Sequence, residues 1–256
     1  MPVLNPKEIA RLLIEAEQNA KPLPPTMKQH FTLEEAYAVQ LEVCRQKLEK
    51  GYQVVGKKIG LVSRAMQKMM NVDQPDYGHI FAQQMHSQGT PIDTAKFITP
   101  RVEGEIAFIL DKDLTGPGVK ASDVVRATRG VMACLEFVDS RWEEFDVYDS
   151  ISDNASCGGF LLGSKLVPLE NLDLRYIGMF IEKNGELHSS GLGVEIMGDP
   201  LNSVAWLANK LSEFGISLKA GEVVLSGAIT SMVPVTKGDI LQVSFSTLGS
   251  ITVRFA

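Results

Sequence analysis

Two glutamates between residues 101 and 110 are the first residues whose type and spacing could do chemistry. The stretch is rich in apolar and β-branched residues and follows Pro100, which is typical of a β-strand. Side chains alternate along a strand, so Glu103 and Glu105 share one face, and Gly104 leaves the other face bare at that level. Neighbouring carboxylates repel each other and resist burial. A divalent cation or a solvent-facing sheet surface would resolve this conflict, and the spacing alone leaves both interpretations open.

A third carboxylate, Glu136, lies within the apolar run from residue 131 to residue 138. Unpaired in such a strand, it would cost several kcal/mol or become protonated, although a bond to backbone or to Arg141 would satisfy it. Together with Glu103 and Glu105 it offers three oxygen donors from two strands. Such donors suit Mg²⁺ or Mn²⁺. Zinc is disfavoured because no histidine or cysteine belongs to the set.

Two adjacent lysines, Lys57 and Lys58, occupy a strand-like segment at residues 54–60. Alternation places them on opposite faces, so we expect one to face solvent and the other to face inward. An inward Lys58 near a carboxylate–metal site could bind an anionic substrate or transfer protons. The alternative is that both lysines decorate an edge strand.

Three further segments are of the kind that carries function on a rigid scaffold. Residues 73–78 and 153–158 are polar turns, and ordinary turn chemistry explains them equally well. Residues 225–228 end a strand with small side chains, which permits close approach of a ligand or of another backbone.

The elements that must position these residues are mostly short strands that do not alternate regularly with helices. This pattern predicts an α+β fold with a β-rich core. The predicted strands are 53–60, 102–110, 132–138, 157–162, 174–182, 222–227, 240–246 and 250–255. Asn184-Gly185 predicts a tight hairpin turn.

Four helices are predicted, two of them before the first strand. One starts at the cap Asn5, and the other starts at Thr32 with Glu35 completing a capping box. The apolar stripe of the second helix is expected to be Tyr37, Leu41, Cys44 and Leu48, and Gly51 to end it. The remaining two cover residues 122–128 and the segment from Pro200 to Gly215. We expect residues 1–52 to form a helical flap on a catalytic domain of residues 53–256.

The totals exclude some classes of function. The chain has 256 residues, a formal charge of −6 and no cluster of Lys and Arg, which argues against a nucleic-acid partner. No apolar run is long enough to cross a membrane, and no secretory signal is visible at residues 1–5. Three cysteines without metal-type spacing favour reduced thiols and a cytoplasmic location.

As a set, the motifs resemble those of the fumarylacetoacetate hydrolase superfamily, in particular its hydratase and decarboxylase branch. The resemblance runs from about residue 33 to residue 255, and it rests on Glu103-x-Glu105, Glu136 with Asp139-Ser140-Arg141, Asp153-Asn154-Ala155-Ser156 and Gly221-Glu222-Val223-Val224-Leu225-Ser226-Gly227. The sequences of residues 55–60, 73–78 and 153–158 most resemble those of the hydratases that act on 2-hydroxypenta-2,4-dienoate (2-oxopent-4-enoate).

The resemblance implies mixed sheets rolled into a sandwich, a homo-oligomer, and Mg²⁺ or Mn²⁺ held by Glu103, Glu105 and Glu136. It implies a functional role for Lys58, in catalysis and in binding the substrate carboxylate. Asp76 is our second candidate for proton transfer, and Ser156 is a candidate to orient substrate or water. Ser226 and Gly227 are expected to contact the substrate.

The reaction implied is hydration of 2-hydroxypenta-2,4-dienoate to 4-hydroxy-2-oxopentanoate in meta-cleavage catabolism of aromatic compounds. C–C hydrolysis is not expected, because the family's hydrolytic His and Glu are absent from residues 61–67. Three alternatives stay open: decarboxylation of 4-oxalocrotonate, hydration of 2-oxohept-4-ene-1,7-dioate, and service as the partner subunit of a hydratase–decarboxylase complex.

Overall fold

The architecture was determined as a computed structural model that describes residues 5–256. Residues 1–4, where the absence of a secretory signal was inferred, lie outside the described residues. Strands dominate the core and helices cover it, so the α+β prediction is confirmed. The α-helices are α1 (Pro6–Asn19), α2 (Leu33–Glu49), α3 (Arg64–Met69), α4 (Ala121–Ala127), α5 (Val147–Ser152) and α6 (Pro200–Ser212). The strands are β1 (Val54–Gly60), β2 (Asp76–Phe81), β3 (Met85–His86), β4 (Arg101–Leu110), β5 (Thr128–Val138), β6 (Cys157–Leu162), β7 (Gly178–Lys183), β8 (Glu186–Leu192), β9 (Val223–Ala228), β10 (Val233–Pro234), β11 (Ile240–Phe245) and β12 (Gly249–Arg254).

Two sheets form the core. The larger has the order β2-β1-β9-β4-β5-β6-β3 with β10 added beside β4, and the smaller has the order β12-β11-β7-β8. β1 pairs with β9, and β3 with β6, in parallel, while the other pairs are antiparallel. The larger sheet curls enough for β2 to touch β6. Its central strand β4 is therefore enclosed.

The expectation of a bare face opposite the two glutamates of β4 is wrong. A side chain at Gly104 would collide with Met179 and crowd Val243, both from the smaller sheet. The absence of a side chain lets the sheets approach closely there, so Gly104 is a packing position.

The N-terminal helices begin where the sequence predicts. Asn5 with Glu8, and Thr32 with Glu35, both form reciprocal capping boxes. The predicted stripe of α2 is partly wrong, because Leu48 is 48% exposed while Gln40 and Lys47 are buried.

Polar partners explain that difference. Gln40 donates to the carbonyls of Tyr77 and Ile151, and the ammonium of Lys47 pairs with Glu17 and lies over the ring of Phe81. The division of the chain at residue 52 stays a prediction.

Most predicted strands are present with small changes at their ends. β2 was missed, because Asp76, Gly78 and His79 interrupt its apolar pattern and residues 73–78 look like a turn. β8 was missed although its hairpin turn at Asn184-Gly185 was predicted; both turn residues have positive φ. The segment 174–182 begins with a 3₁₀ turn, so its strand starts only at Gly178.

Candidate active site

The structure brings together the three glutamates on one face of the larger sheet. Antiparallel pairing of β4 with β5 sets Glu103 directly opposite Glu136, and Glu105 follows on the same face of β4. One carboxylate oxygen from each residue lies within 4.8 Å of the others. The two strands thus converge three oxygen donors on a small volume.

Burial makes this cluster electrostatically costly. Glu105 and Glu136 have no exposed surface, and Glu103 is half-buried. Burial, reinforced by the charge of Glu136, raises the pKa of Glu103 from 4.5 to about 8. Burial and both neighbouring glutamates raise the pKa of Glu105, and burial raises that of Glu136 against the opposing effect of Lys58. Without a cation, the cluster therefore favours bound protons over a full set of negative charges.

Lys58 is the cation on this face. Its Nζ lies 3.2 Å from Glu136 Oε1. Burial lowers the pKa of Lys58, but the carboxylates of Glu136, Asp76 and Glu103 outweigh burial and raise it. The ammonium form is therefore maintained beside the carboxylates.

The expectation that one of the two lysines faces solvent is wrong, because Lys57 is 3% and Lys58 is 4% exposed. Lys57 is on the opposite face of β1 and pairs with Glu222 at 2.8 Å. A carboxylate partner satisfies each lysine, the buried Glu136 for Lys58 and the half-buried Glu222 for Lys57, which alternation alone could not reveal.

Asp76 lies at the start of β2, opposite Gly60 of β1. A side chain at Gly60 would collide with the Asp76 carboxylate, so the missing Cβ leaves room for it. Burial raises the pKa of Asp76, while Lys58 and the Gly60 backbone oppose that rise. Its Oδ1 is buried without a hydrogen-bond partner among residues 5–256. Asp76 is thus placed to exchange a proton.

Ser156 is buried at the end of the loop between α5 and β6. Its hydroxyl lies 3.0 Å from that of Ser150. Arg141, suggested as a partner for Glu136, instead pairs with Asp153 at 2.5 Å. Glu136 is therefore left with the Lys58 ammonium beside Oε1, and its Oε2 is buried without a hydrogen-bond partner among the described residues.

The Ser226–Gly227 pair lies at the end of β9 and contacts the glutamate cluster through the backbone. The Gly227 amide donates to Glu105 Oε2 at 2.7 Å, so it orients this glutamate. Gly227 has φ +106 and packs against Val62, which requires glycine. The Ser226 hydroxyl is buried without a partner in the described chain. Substrate contacts for these two residues stay predictions.

A cleft of about 530 Å³ opens beside Asp76. Its apolar wall includes Leu61 and Val72, and its polar wall includes Lys68 and Asp73. The full lining is Leu33, Leu61, Lys68, Asn71, Val72, Asp73, Gln74, Pro75, Asp76, Val147, Tyr148 and Ile151. The cleft gives a small molecule a route toward Asp76.

Sequence reasoning missed two contributors to the site. Ser150 was not singled out, because a serine within a short helix carries no signal of its own. Gly60 was quoted only as part of a motif, and its contact with Asp76 depends on the register of β1 with β2.

The donor set fits a divalent metal ion. Glu105 Oε1 and Glu136 Oε2 are buried without a hydrogen-bond partner within residues 5–256, and Glu136 Oε1 has only the Lys58 ammonium beside it. Orphaned buried carboxylate oxygens are costly, and hard oxygen donors match Mg²⁺ or Mn²⁺. Glu103, Glu105 and Glu136 would hold the ion.

Comparisons with known proteins show which family the chain belongs to. The family model described as fumarylacetoacetate (FAA) hydrolase C-terminal matches residues 48–256. A 2-hydroxyhexa-2,4-dienoate hydratase from Comamonas testosteroni is 42% identical over 95% of this chain and 94% of its own. A 2-hydroxypent-2,4-dienoate hydratase from Pseudomonas putida is 43% identical over 82% of this chain and 97% of its own. The solved 4-oxalocrotonate decarboxylase from Pseudomonas putida G7, complexed with magnesium and adipate, has a TM-score of 0.94 and 37% identity over 99% of both chains.

The relatives that share this curled mixed sheet at 37–43% identity are hydratases and a decarboxylase, which are lyases. The chain belongs to the fumarylacetoacetate hydrolase family. The resemblance, fold class and lyase chemistry expected from the sequence are thereby confirmed.

Proposed function

We propose that this enzyme is a divalent-metal-dependent hydratase that converts 2-hydroxypenta-2,4-dienoate to 4-hydroxy-2-oxopentanoate. The observation that carries the proposal is the buried set of Glu103, Glu105 and Glu136 with Lys58 beside it. Similarity to two dienoate hydratases at 42% and 43% identity supports the substrate class.

The reaction needs charge control at one end of the substrate and proton transfer at the other. Glu103, Glu105 and Glu136 would hold Mg²⁺ or Mn²⁺, which would supply Lewis acidity to stabilise negative charge on the C2 oxygen. The Lys58 ammonium binds the C1 carboxylate, because it is a buried cation on the same face as the glutamates.

Proton transfer is assigned to Asp76. The dienol loses its hydroxyl proton and gains one at C5, which yields an α,β-unsaturated 2-oxo acid. Water then adds at C4, and a proton is delivered to C3. A carboxyl whose pKa is raised by burial holds its proton to a higher pH than an exposed one, and burial raises the pKa of Asp76. The Ser156 hydroxyl orients the substrate or the attacking water. Ser226 and Gly227 contact the substrate.

A second candidate is decarboxylation of a diacid such as 4-oxalocrotonate. The fold match to a decarboxylase solved with adipate, a dicarboxylate, favours it. A diacid also needs a cation for its distal carboxylate. Arg141 cannot serve, since it is buried and bonded to Asp153, whereas Lys68 stands on the wall of the cleft. Hydration of 2-oxohept-4-ene-1,7-dioate would use the same contact.

One experiment separates these reactions. The protein is loaded with Mg²⁺ or Mn²⁺ and given the monocarboxylate dienoate and 4-oxalocrotonate separately. Loss of diene absorbance and release of carbon dioxide are followed in each. The proposal expects rapid diene loss from the monocarboxylate and little carbon dioxide from the diacid. Faster carbon dioxide release would make decarboxylation the main reaction.

A homo-oligomer, and a complex with the paired pathway decarboxylase or hydratase, are part of the proposal. Apolar side chains on and beside the smaller sheet are exposed, and such patches mark protein contacts: Tyr176, Phe180, Leu187, Leu192 and Val194. Light scattering of the wild type and of Phe180→Asp tests this. Smaller assemblies for the variant would support the sheet as the interface.

The proposed location is the cytoplasm. Cys44, Cys134 and Cys157 are all unpaired, which fits a reducing compartment. Across residues 5–256, no helix is both long and apolar enough to span a membrane.

A further inference from the structure

The loop at residues 153–157 has an unusual backbone. Asn154, Ala155 and Ser156 all have positive φ, at 53°, 50° and 53°. This left-handed region is sterically unfavourable for residues with a Cβ. Alanine and serine lack the preference that asparagine has for it. Three such residues in succession persist only where the surroundings enforce them.

Arg141 supplies that enforcement from the inside of the loop. Its guanidinium donates to the Asp153 carboxylate at 2.5 Å and to the Asp153 carbonyl at 2.6 Å. It also donates to the carbonyl of Asp139 at 2.6 Å and to that of Cys157 at 3.1 Å. Its own backbone amide donates to the Asp153 carboxylate at 2.8 Å.

These contacts bracket Ser156. The Ser156 amide donates to the Asp153 carbonyl at 2.9 Å, and the Ser156 carbonyl accepts from the Asp139 amide at 2.9 Å. Arg141 therefore binds Asp153 and Asp139, the two residues whose backbones hydrogen-bond that of Ser156. A lysine could not reproduce the pattern, because it lacks the planar fork of donors.

A second set of contacts ties the loop to the active-site strands. The Asn154 side chain accepts from the His79 amide at 2.7 Å and donates to the His79 carbonyl at 2.8 Å. The Asn154 carbonyl packs so closely on Gly78 that a side chain there would collide with it. Gly78 is the register partner of Lys58. The strained loop is thus docked beside the proposed substrate-carboxylate site.

We propose that Arg141 is a positioning residue: it holds residues 154–156 in their strained conformation and so fixes Ser156 within the loop that packs on Gly78, the register partner of Lys58. The inference rests on the proposed function. Arg141 touches neither the metal ligands nor the substrate, and it acts through the loop. Misplacement of a catalytic contact by about 1 Å can lower the rate about 10²-fold.

The test compares Arg141→Lys with the wild type and with Arg175→Lys. Arg175 also pairs with an aspartate, Asp173, but on the surface, so it is a matched control. Three quantities are measured: kcat and KM for the dienoate, Mn²⁺ affinity of the metal-stripped protein, and hydrogen exchange of the 153–157 amides. We expect Arg141→Lys to lower kcat about 10–100-fold and to speed exchange in this loop, with Mn²⁺ affinity unchanged.

The strain itself provides a rescue experiment. Glycine adopts positive φ without steric cost, so Ala155→Gly lowers the energy of the conformation that Arg141 must enforce. In the Arg141→Lys background, Ala155→Gly should restore part of the lost kcat. If Arg141→Lys does not fold, Asn154→Asp serves instead, because it replaces the donor to the His79 carbonyl with a carboxylate oxygen and so weakens the docking of the loop. It should show a smaller loss of the same kind.

The outcomes distinguish this inference from the proposed function. Wild-type kcat and exchange in Arg141→Lys would overturn the positioning role. Equal losses of kcat and Mn²⁺ affinity without rescue would also overturn it, since they indicate a purely structural residue. A wild-type enzyme without hydratase turnover, whose 153–157 loop nevertheless loosens in Arg141→Lys, would refute the proposed function and leave the enforced loop conformation standing.

Discussion

Glu103 and Glu136 face each other directly across the β4–β5 ladder. Like charges at directly opposed positions destabilise a sheet, and here the pair lies against the fully buried Glu105. The ionised pair would repel, and a cation held between these two strands would stabilise the ionised form. The proposed metal site follows from this relationship.

Replacing Glu105 with Gln should abolish tight Mn²⁺ binding and turnover while leaving the fold intact. The amide oxygen of Gln can still accept from Gly227, so the local backbone is kept. The loss of one negative donor weakens a site built from three. Isothermal titration with Mn²⁺ and circular dichroism provide the measurement. Glu186→Gln, at an exposed glutamate of β8, is the control. Wild-type Mn²⁺ affinity in Glu105→Gln would argue against the assigned ligands.

Replacing Lys58 with Met should separate metal binding from catalysis. Removal of the ammonium 3.2 Å from Glu136 takes a competing positive charge away, so affinity for Mn²⁺ should rise. Turnover should fall by about 10²–10⁴-fold, because substrate binding or proton transfer is lost. Lys57→Met, on the other face of β1, should leave Mn²⁺ affinity unchanged and reduce stability by stranding Glu222. Weaker Mn²⁺ binding in Lys58→Met would contradict this electrostatic argument.

Replacing Asp76 with Asn should lower turnover about 10²–10⁴-fold while stability is retained or increased. The carboxyl is buried with an unpartnered oxygen in the described chain, and its raised pKa shows that ionisation is disfavoured there. The native Asp76 carboxyl therefore supports turnover and lowers the stability of the fold. Urea unfolding and steady-state kinetics test both parts. An unstable but fully active variant would reverse the interpretation.

His79 makes a pH-dependent contribution to stability. Burial, with the charge of Lys57, lowers the pKa of His79 from 6.5 to about 3. The unfolded chain therefore binds a proton that the folded one excludes. Stability from this group is complete above its ordinary pKa and is lost as pH falls toward the folded value.

The corresponding variant is His79→Leu. Its free energy of unfolding should depend less on pH than that of the wild type across the interval from 6.5 down to about 3. Urea midpoints over that range provide the measurement. His188→Leu, at an exposed histidine, should behave like the wild type. An unchanged pH dependence in His79→Leu would mean that His79 does not titrate with folding.

The features of the site that depend only on local periodicity could be predicted from the sequence. Glu103 and Glu105 share a face because strands have a period of two residues. The pairing of Glu103 with Glu136 could not be predicted, because register depends on bulges and on the partner strand. The burial of Lys57 could not be predicted either, since its partner Glu222 is distant in the chain.

The loop around Ser156 shows the same limit at the level of the backbone. Asn154 tolerates left-handed conformations and therefore marks a turn. Ala155 and Ser156 have no such preference, and only the distant contacts of Arg141 and Gly78 account for their geometry. Asp76 was assigned to a turn for a related reason, because only the pairing of β2 with β1 makes this segment a strand.

The most direct test of the account is a Mn²⁺ titration of the metal-stripped protein, with bound ion and hydration of 2-hydroxypenta-2,4-dienoate measured in the same samples. We expect turnover to be absent without metal, to rise in proportion to bound Mn²⁺, and to reach its maximum when the Mn²⁺ site is full. Full turnover in the metal-stripped protein would contradict the central claim that the three glutamates work by holding a divalent cation.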